Sequence, residues 1–303
     1  MRVCIQPRLL KKGDRVGLCA PSGFVSQDAL AGAISALAAF GLQVVVGESC
    51  RLQHGYLAGT DKVRAQDFNH FVADDGIAGI FAVRGGYGAQ RILPLINWNA
   101  FKRKCKPFFG YSDATAIHLA IQRLGIMSYH TPMPATELRF GLDAFSRTSY
   151  EACLFGGTQG VLPNLTGHER VCISSGVCKG ILAGGNLSLL ASSLGTPYAL
   201  DARGKVLFIE EVGEAPYRID RMLTQLVLAG VFDACAGILL GAFTECYAQK
   251  DGRTVNNIIK DMFTGIGKPV LAGVACGHTL PTLSLPFGAM VRVDAHNREI
   301  VVL

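Results

Sequence analysis

The sequence predicts an α/β protein, with a helix-flanked parallel sheet in its first half and a second, strand-richer α/β unit in its second half. Two patterns lead to this reading. Up to about residue 125, short apolar runs alternate with longer helical segments, the order that builds a parallel sheet covered by helices. From about residue 170, short strands outnumber the helices between them. The intervening stretch carries Gly156-Gly157, Pro163-Asn164 and Gly167 around one helical piece and reads as a connection. A chain of 303 residues, 50% hydrophobic and with 36 glycines, is long enough for two cores. The expected division is 1–145, a connection over 146–169, and 170–303.

Taken in order, residues 16–20 read as a strand stopped by Pro21-Ser22-Gly23, residues 27–40 as a helix and 42–46 as a strand. A second helix covers 62–73, and the apolar, β-branched run 79–83 is a strand. A third helix starts at 89–95. Residues 107–111 form a strand and 113–124 a helix ended by Gly125. In the second half, strands fall at 171–174, 178–182, 205–210 and 237–241, with helices at 186–194, 217–229 and 255–263. The chain closes on a hairpin, 290–294 and 299–303, around Ala295-His296-Asn297-Arg298. No internal repeat or low-complexity segment interrupts the pattern.

Composition excludes several classes. A net charge of +6 is modest for this length, and the basic residues are scattered apart from Lys11-Lys12 and the cluster from Lys102 to Lys106. A nucleic-acid binder would carry a denser stripe. The ten cysteines form no C-x-x-C pair and no zinc-like spacing, and most lie in apolar runs. They read as small core residues of a reduced, cytoplasmic protein. The first residues lack a continuous apolar segment, and no run approaches the roughly 18 residues of a bilayer span. No metal, cofactor, nucleic-acid or membrane partner is expected.

Four stretches could carry chemistry. In Gly110-Tyr111-Ser112-Asp113-Ala114, a serine stands between a strand and a helix with small residues two places either side. Such a turn can lift a hydroxyl out of a sheet and aim the next backbone N–H at the same space. Ser112 could equally be a helix N-cap. Arg84-Gly85-Gly86-Tyr87-Gly88 follows a strand and precedes a helix. Its glycines let backbone N–H groups approach an anion, although the pattern is not that of a dinucleotide loop. Both turns leave the carboxyl edge of a parallel sheet, where ligands bind in open α/β folds. Glu210-Glu211 ends an apolar strand and could orient a histidine. His278, in Cys276-Gly277-His278-Thr279, sits in a small-residue loop suited to proton transfer. His118 reads as a satisfied helix residue and His130 as a supporting group near the site.

Together these stretches resemble the LD-carboxypeptidase family of serine peptidases of bacterial murein recycling. The resemblance spans nearly the whole chain, through 16–23, 84–88, 110–113, 184–187, Gly195-Thr196-Pro197-Tyr198, 207–221 and Gly277-His278, with EEVGEAPYRIDRML (residues 210–223) the most specific run. It implies a flavodoxin-like N-terminal domain and a swivelling-barrel-like C-terminal one. It implies Ser112 as nucleophile, His278 as base and Glu210 as the carboxylate, with Glu211 as runner-up. It implies an oxyanion hole of the Asp113 and Gly86 backbone N–H groups, a murein tetrapeptide ending in D-alanine as substrate, and a homodimer. Arg84 and Tyr87 are the substrate-binding candidates, and Arg84 cannot be told from Arg218 or Arg221 as the carboxylate's partner. The chain departs from the family where His130-Thr131-Pro132-Met133 replaces H-G-P-M and Glu210-Glu211 replaces glutamate-aspartate. Two rivals remain: an immunity peptidase of the same family that cleaves microcin C-type peptidyl nucleotides, and a non-catalytic muropeptide- or sugar-binding protein.

Overall fold

In the computed structural model, which describes residues 4–248 and 252–303, the apolar runs of the first half pair side by side. The elements in order are β1 (Arg15–Cys19), α1 (Gln27–Ala39), β2 (Gln43–Val46), α2 (Asp61–Ala73), β3 (Gly79–Ala82), α3 (Ala89–Ile92), α4 (Trp98–Lys104), β4 (Phe108–Gly110), α5 (Thr115–Arg123) and β5 (Ser128–His130). β3, β4 and β5 are buried along their whole length, as expected of strands covered on both faces. The aromatic rings of Phe81, Phe109 and Tyr129 stack across them at centroid distances of 4.5 and 5.0 Å. This ladder fixes the register that brings the ends of β3, β4 and β5 to one edge.

The remaining elements are α6 (Ala144–Glu151), β6 (Gly160–Val161), β7 (Val171–Ser174), β8 (Val177–Asn186), α7 (Leu187–Ser193), β9 (Val206–Val212), α8 (Pro216–Leu228), α9 (Val231–Ala234), β10 (Gly237–Thr244), α10 (Val255–Phe263), β11 (Val270–Ala272), β12 (Leu285–Phe287), β13 (Met290–Asp294) and β14 (Glu299–Val302). They form an eight-stranded mixed sheet in the order β6-β14-β13-β8-β9-β10-β11-β7. The first sheet has six strands in the order β12-β5-β4-β3-β1-β2. Each sheet buries apolar side chains on both faces. The architecture is therefore α/β with two mixed sheets.

Three features differ from the expected pattern. The first sheet is parallel through β1 to β5, but β12 joins its edge antiparallel, pairing Leu285 with His130. Its Pro286 reads as a turn in sequence, yet an edge strand tolerates a missing N–H. β8 runs four residues past its expected end, because pairing with β9 continues through Asn186↔Glu210. Helix α4 was not expected. Its Lys102, Arg103 and Lys104 hide the apolar contribution of Phe101, which is buried.

Residues 146–169 hold the end of α6 and bury Tyr150, Cys153 and Leu154 against the first sheet. Ser146 and Ser149 on α6 accept hydrogen bonds from the backbone of Thr282 and Ser284, at 2.7 and 2.8 Å. These bonds help to place the segment after His278. Among the described residues no helix is long and apolar enough to cross a membrane.

Candidate active site

β4 ends at Gly110, and the chain turns through Tyr111 and Ser112 into α5. Ser112 has φ +61°, a left-handed conformation that costs a non-glycine residue about 1–3 kcal/mol. The turn is held from behind by His118, fully buried on α5. Its Nε2 donates to the Gly110 carbonyl at 2.8 Å, and its Nδ1 accepts from Ser128 Oγ at 2.7 Å. Burial pushes the His118 imidazole down to about 4, so the ring is neutral and has one donor and one acceptor for these bonds. The cap reading of Ser112 fails here: α5 begins after Ala114 with no side-chain cap, and the serine hydroxyl points elsewhere.

It points to His278. The His278 Nε2–Ser112 Oγ distance is 2.9 Å, and His278 Nδ1 lies 2.7 Å from Glu210 Oε2. Glu210 ends the apolar run of β9 and is completely buried. Its neighbour Glu211 faces the other way and is fully engaged. It accepts from Asn186 Nδ2, from Ser188 N and Oγ and from Val212 N, all within 2.8 Å, and so pins the β8–α7 corner. Strand alternation thus sends one glutamate to the histidine and the other to the backbone. Gly277, at φ +120°, lies so close that a Cβ there would stand 2.9 Å from Glu210 Oε2. The loop can present His278 to this carboxylate only with glycine at that position.

The electrostatics follow from this packing. Burial alone would lower the His278 pKa, but the hydrogen bond and negative charge of Glu210 outweigh it, helped by Glu137 and Glu211, and the net shift is upward. With Glu210 accepting the Nδ1 proton, Nε2 is free to accept from the serine hydroxyl. Tyr111 packs its ring 4.6 Å from the imidazole and donates its hydroxyl to Glu137 at 2.5 Å. This Tyr111–Glu137 contact was not foreseen from the sequence. His130 is buried against Tyr111, Phe208 and Phe287, with neither ring nitrogen hydrogen-bonded. Burial drives its pKa well down, so it packs as a neutral ring and makes no bond to the relay.

The glycine loop after β3 lies against this group. Gly85 is the residue in closest approach: a Cβ there would be 2.9 Å from Ser112 Oγ and 3.5 Å from the Asp113 amide nitrogen. Gly86 is one step further out, facing Gly23. Arg84 donates to the Phe24 carbonyl at 3.2 Å, while its Nε is buried without a partner. It lines a cavity of about 550 Å³ together with Glu137 and Leu280, the latter two residues beyond His278. Arg218 and Arg221 are elsewhere, on α8 around the Tyr217 ring, with Arg218 bonded to Glu214. Tyr87 is half-exposed and packs edge-on against Tyr56 at 5.7 Å.

Comparison with known proteins places the chain in a family. Residues 16–131 match the LD-carboxypeptidase N-terminal domain and residues 179–293 the LD-carboxypeptidase C-terminal domain. The probable murein peptide carboxypeptidase of Bacillus subtilis is 37% identical, covering 98% of this chain and 94% of that protein. The microcin C7 self-immunity protein MccF in complex with aspartyl sulfamoyl adenosine superposes with a TM-score of 0.89 at 26% identity, covering 98% of both chains. The muramoyltetrapeptide carboxypeptidase of Oxalobacter formigenes gives 0.83 at 27% identity, covering 94% of this chain and 97% of that one. With both halves matched and a relative 37% identical over nearly its whole length, the chain belongs to the LD-carboxypeptidase family and is a serine-type carboxypeptidase.

Proposed function

We propose that this protein releases the terminal D-alanine from murein tetrapeptides with Ser112 as nucleophile, His278 as general base and acid, and Glu210 as the carboxylate that orients the imidazole. The observation that supports it most strongly is the continuous line Ser112 Oγ–His278 Nε2 and His278 Nδ1–Glu210 Oε2, at 2.9 and 2.7 Å. As the hydroxyl attacks the amide carbonyl next to D-alanine, Nε2 takes its proton, and Glu210 stabilises the resulting imidazolium. The imidazolium gives that proton to the departing amine of D-alanine. Water, activated by the same nitrogen, then frees the acyl group from Ser112. The backbone N–H groups of Asp113 and of the glycine loop, with Gly85 nearest and Gly86 beside it, would hold the oxyanion. Arg84, on the cavity wall, and Tyr87, in the same loop, are the side chains we assign to substrate binding. We assign Ser112, Arg84 and Tyr87 to an N-terminal unit of 1–145, and Glu210 and His278 to a C-terminal unit of 170–303, joined by 146–169.

The murein reading draws on the 37% identical relative named as a murein peptide carboxypeptidase. A second reading, an immunity peptidase for peptidyl nucleotides of the microcin C type, draws on the backbone. The TM-score to MccF exceeds that to the muramoyltetrapeptide carboxypeptidase, 0.89 against 0.83. Both use the same bond-breaking chemistry and differ in what lies beyond the scissile amide. Incubating the protein with a murein tetrapeptide and, separately, with an aspartyl sulfamoyl adenosine separates them. D-alanine release supports the first reading; release of aspartate alone replaces it with the second.

A further inference from the structure

A carboxyl and a guanidinium lie buried behind the Ser112 turn, and neither takes part in the Ser112–His278–Glu210 line. The Asp113 side chain is only 2% exposed. Its Oδ2 accepts from Ser22 Oγ at 2.6 Å and from the Ala89 backbone N–H at 2.7 Å. Ser22 belongs to the loop after β1, and Ala89 ends the glycine loop after β3. One carboxylate oxygen therefore ties two separate loops to the residue that follows Ser112. Arg64, on α2, is fully buried. Its Nη1 donates to the carbonyls of Pro21 and of Gly88, the latter at 2.9 Å. Its Nη2 reaches Asp61, which Arg91 also holds. The same two loops are thus gripped twice, through a hydroxyl and an N–H by Asp113, and through two carbonyls by Arg64.

The second of these loops faces the Ser112 hydroxyl, and the first braces it. Gly85 abuts Ser112 Oγ and the Asp113 amide, and its carbonyl accepts from the Gly23 N–H at 3.3 Å. Polar groups that hold a transition-state donor must fix it closely, because a displacement of about 1 Å can cost about 10²-fold in rate. Burying an arginine and an aspartate is otherwise expensive.

We propose that the Asp113 carboxylate and the Arg64 guanidinium are positioning groups that clamp residues 21–23 and 85–89 against Ser112 and thereby set the geometry of the oxyanion pocket. This rests on Ser112 being the nucleophile, as proposed above, and not on which peptide is cleaved.

The test reads the pocket directly. A fluorophosphonate modifies an activated serine and places a phosphoryl oxygen where the oxyanion would form, so its rate of attachment to Ser112, followed by mass spectrometry, reports the pocket without any peptide. Asp113→Ala should slow labelling about 100-fold and lower kcat to match, with KM within about threefold of wild type. Asp113→Asn can still offer one oxygen to both Ser22 and Ala89, and should recover the rate to within about tenfold of wild type. Ser22→Ala, a small change at a buried site, should slow labelling about tenfold. The acid limb assigned to His278 should not move in any of them, because neither Asp113 nor Ser22 is among the groups that raise that imidazole. A folded Asp113→Ala protein labelled at the wild-type rate would overturn the proposal. So would Asp113→Asn no faster than Asp113→Ala, which would assign the effect to charge. If Asp113→Ala fails to fold, Ser22→Ala labelled at the wild-type rate overturns it. A wild-type protein that is labelled but inert on murein peptides strikes only the substrate reading. One that is not labelled at all removes the nucleophile and this proposal together.

Discussion

Ser112 occupies a backbone conformation that a serine avoids, at φ +61°, and the surroundings hold it there: His118 grips the Gly110 carbonyl, and the next residue, Asp113, is anchored through its side chain. Removing its hydroxyl while keeping that turn, in Ser112→Ala, should cost about 10⁴-fold or more in kcat with little change in melting temperature. The base gives a pH signature. As the proposed base, His278 must be neutral to take the proton, and its pKa is raised because the Glu210 bond and charge outweigh burial. Activity should therefore rise with pH through a limb above the ordinary histidine value of about 6.5. In Glu210→Gln the carboxylate charge is gone and burial acts without it, so the limb should move down even as kcat falls. A pH–kcat/KM series on both proteins checks the direction, and a limb unmoved by the substitution would contradict the assignment. Of these residues, His278 stood out by the small residues around it, whereas the residues around Ser112 left nucleophile and helix cap both open. The choice between Glu210 and Glu211 could not, because β9 is buried on both faces and neither alternation nor polarity distinguishes its sides. The Tyr111–Glu137 contact and the buried Arg64 left no local trace, since each depends on residues brought together only by folding.

Elements position these side chains through their ends. Ser112 follows β4, Glu210 lies on β9, and His278 lies in the loop after β11, which reaches the site because its small residues let it pass close to β9. Gly277→Ala adds a Cβ only 2.9 Å from Glu210 Oε2, and in a positive-φ conformation. The expected result is a loss of about 10²-fold in kcat from displaced His278, with the protein still folded by circular dichroism. Wild-type kcat in this variant would show that the loop accommodates the change without moving the imidazole. The alternation of strand and helix up to residue 125 was legible because period and punctuation agree there. β12 was not: Pro286 argues locally for a turn, and only the free edge of β5 makes it a strand. The extension of β8 past Gly184-Gly185 was hidden for a related reason, since its hydrogen-bond partner β9 is remote in sequence.

At the scale of the molecule, one short segment serves both sheets. β12 closes the edge of the first sheet against β5, and after Gly288 and Ala289 the chain enters β13, paired with β8 in the second. Phe287, fully buried, touches His130 from one sheet and Phe208 from the other. The two halves should therefore unfold together. Trp98, the single tryptophan, lies on α4 beside the first sheet, while far-UV circular dichroism reports both. Their urea transitions should coincide, and Phe287→Ala should shift both midpoints by an amount equivalent to about 3–5 kcal/mol. Transitions that separate would show two independently stable units. The two-unit α/β plan was readable from composition and element order, but this shared segment was not, because both of its strands pair with strands more than 100 residues earlier in the chain. The central claim, a serine carboxypeptidase whose nucleophile is Ser112, is tested most directly by measuring D-alanine release from L-Ala–γ-D-Glu–meso-diaminopimelate–D-Ala with the wild-type protein beside Ser112→Ala. Release by the wild type alone is the predicted result. Equal release by both proteins would contradict it.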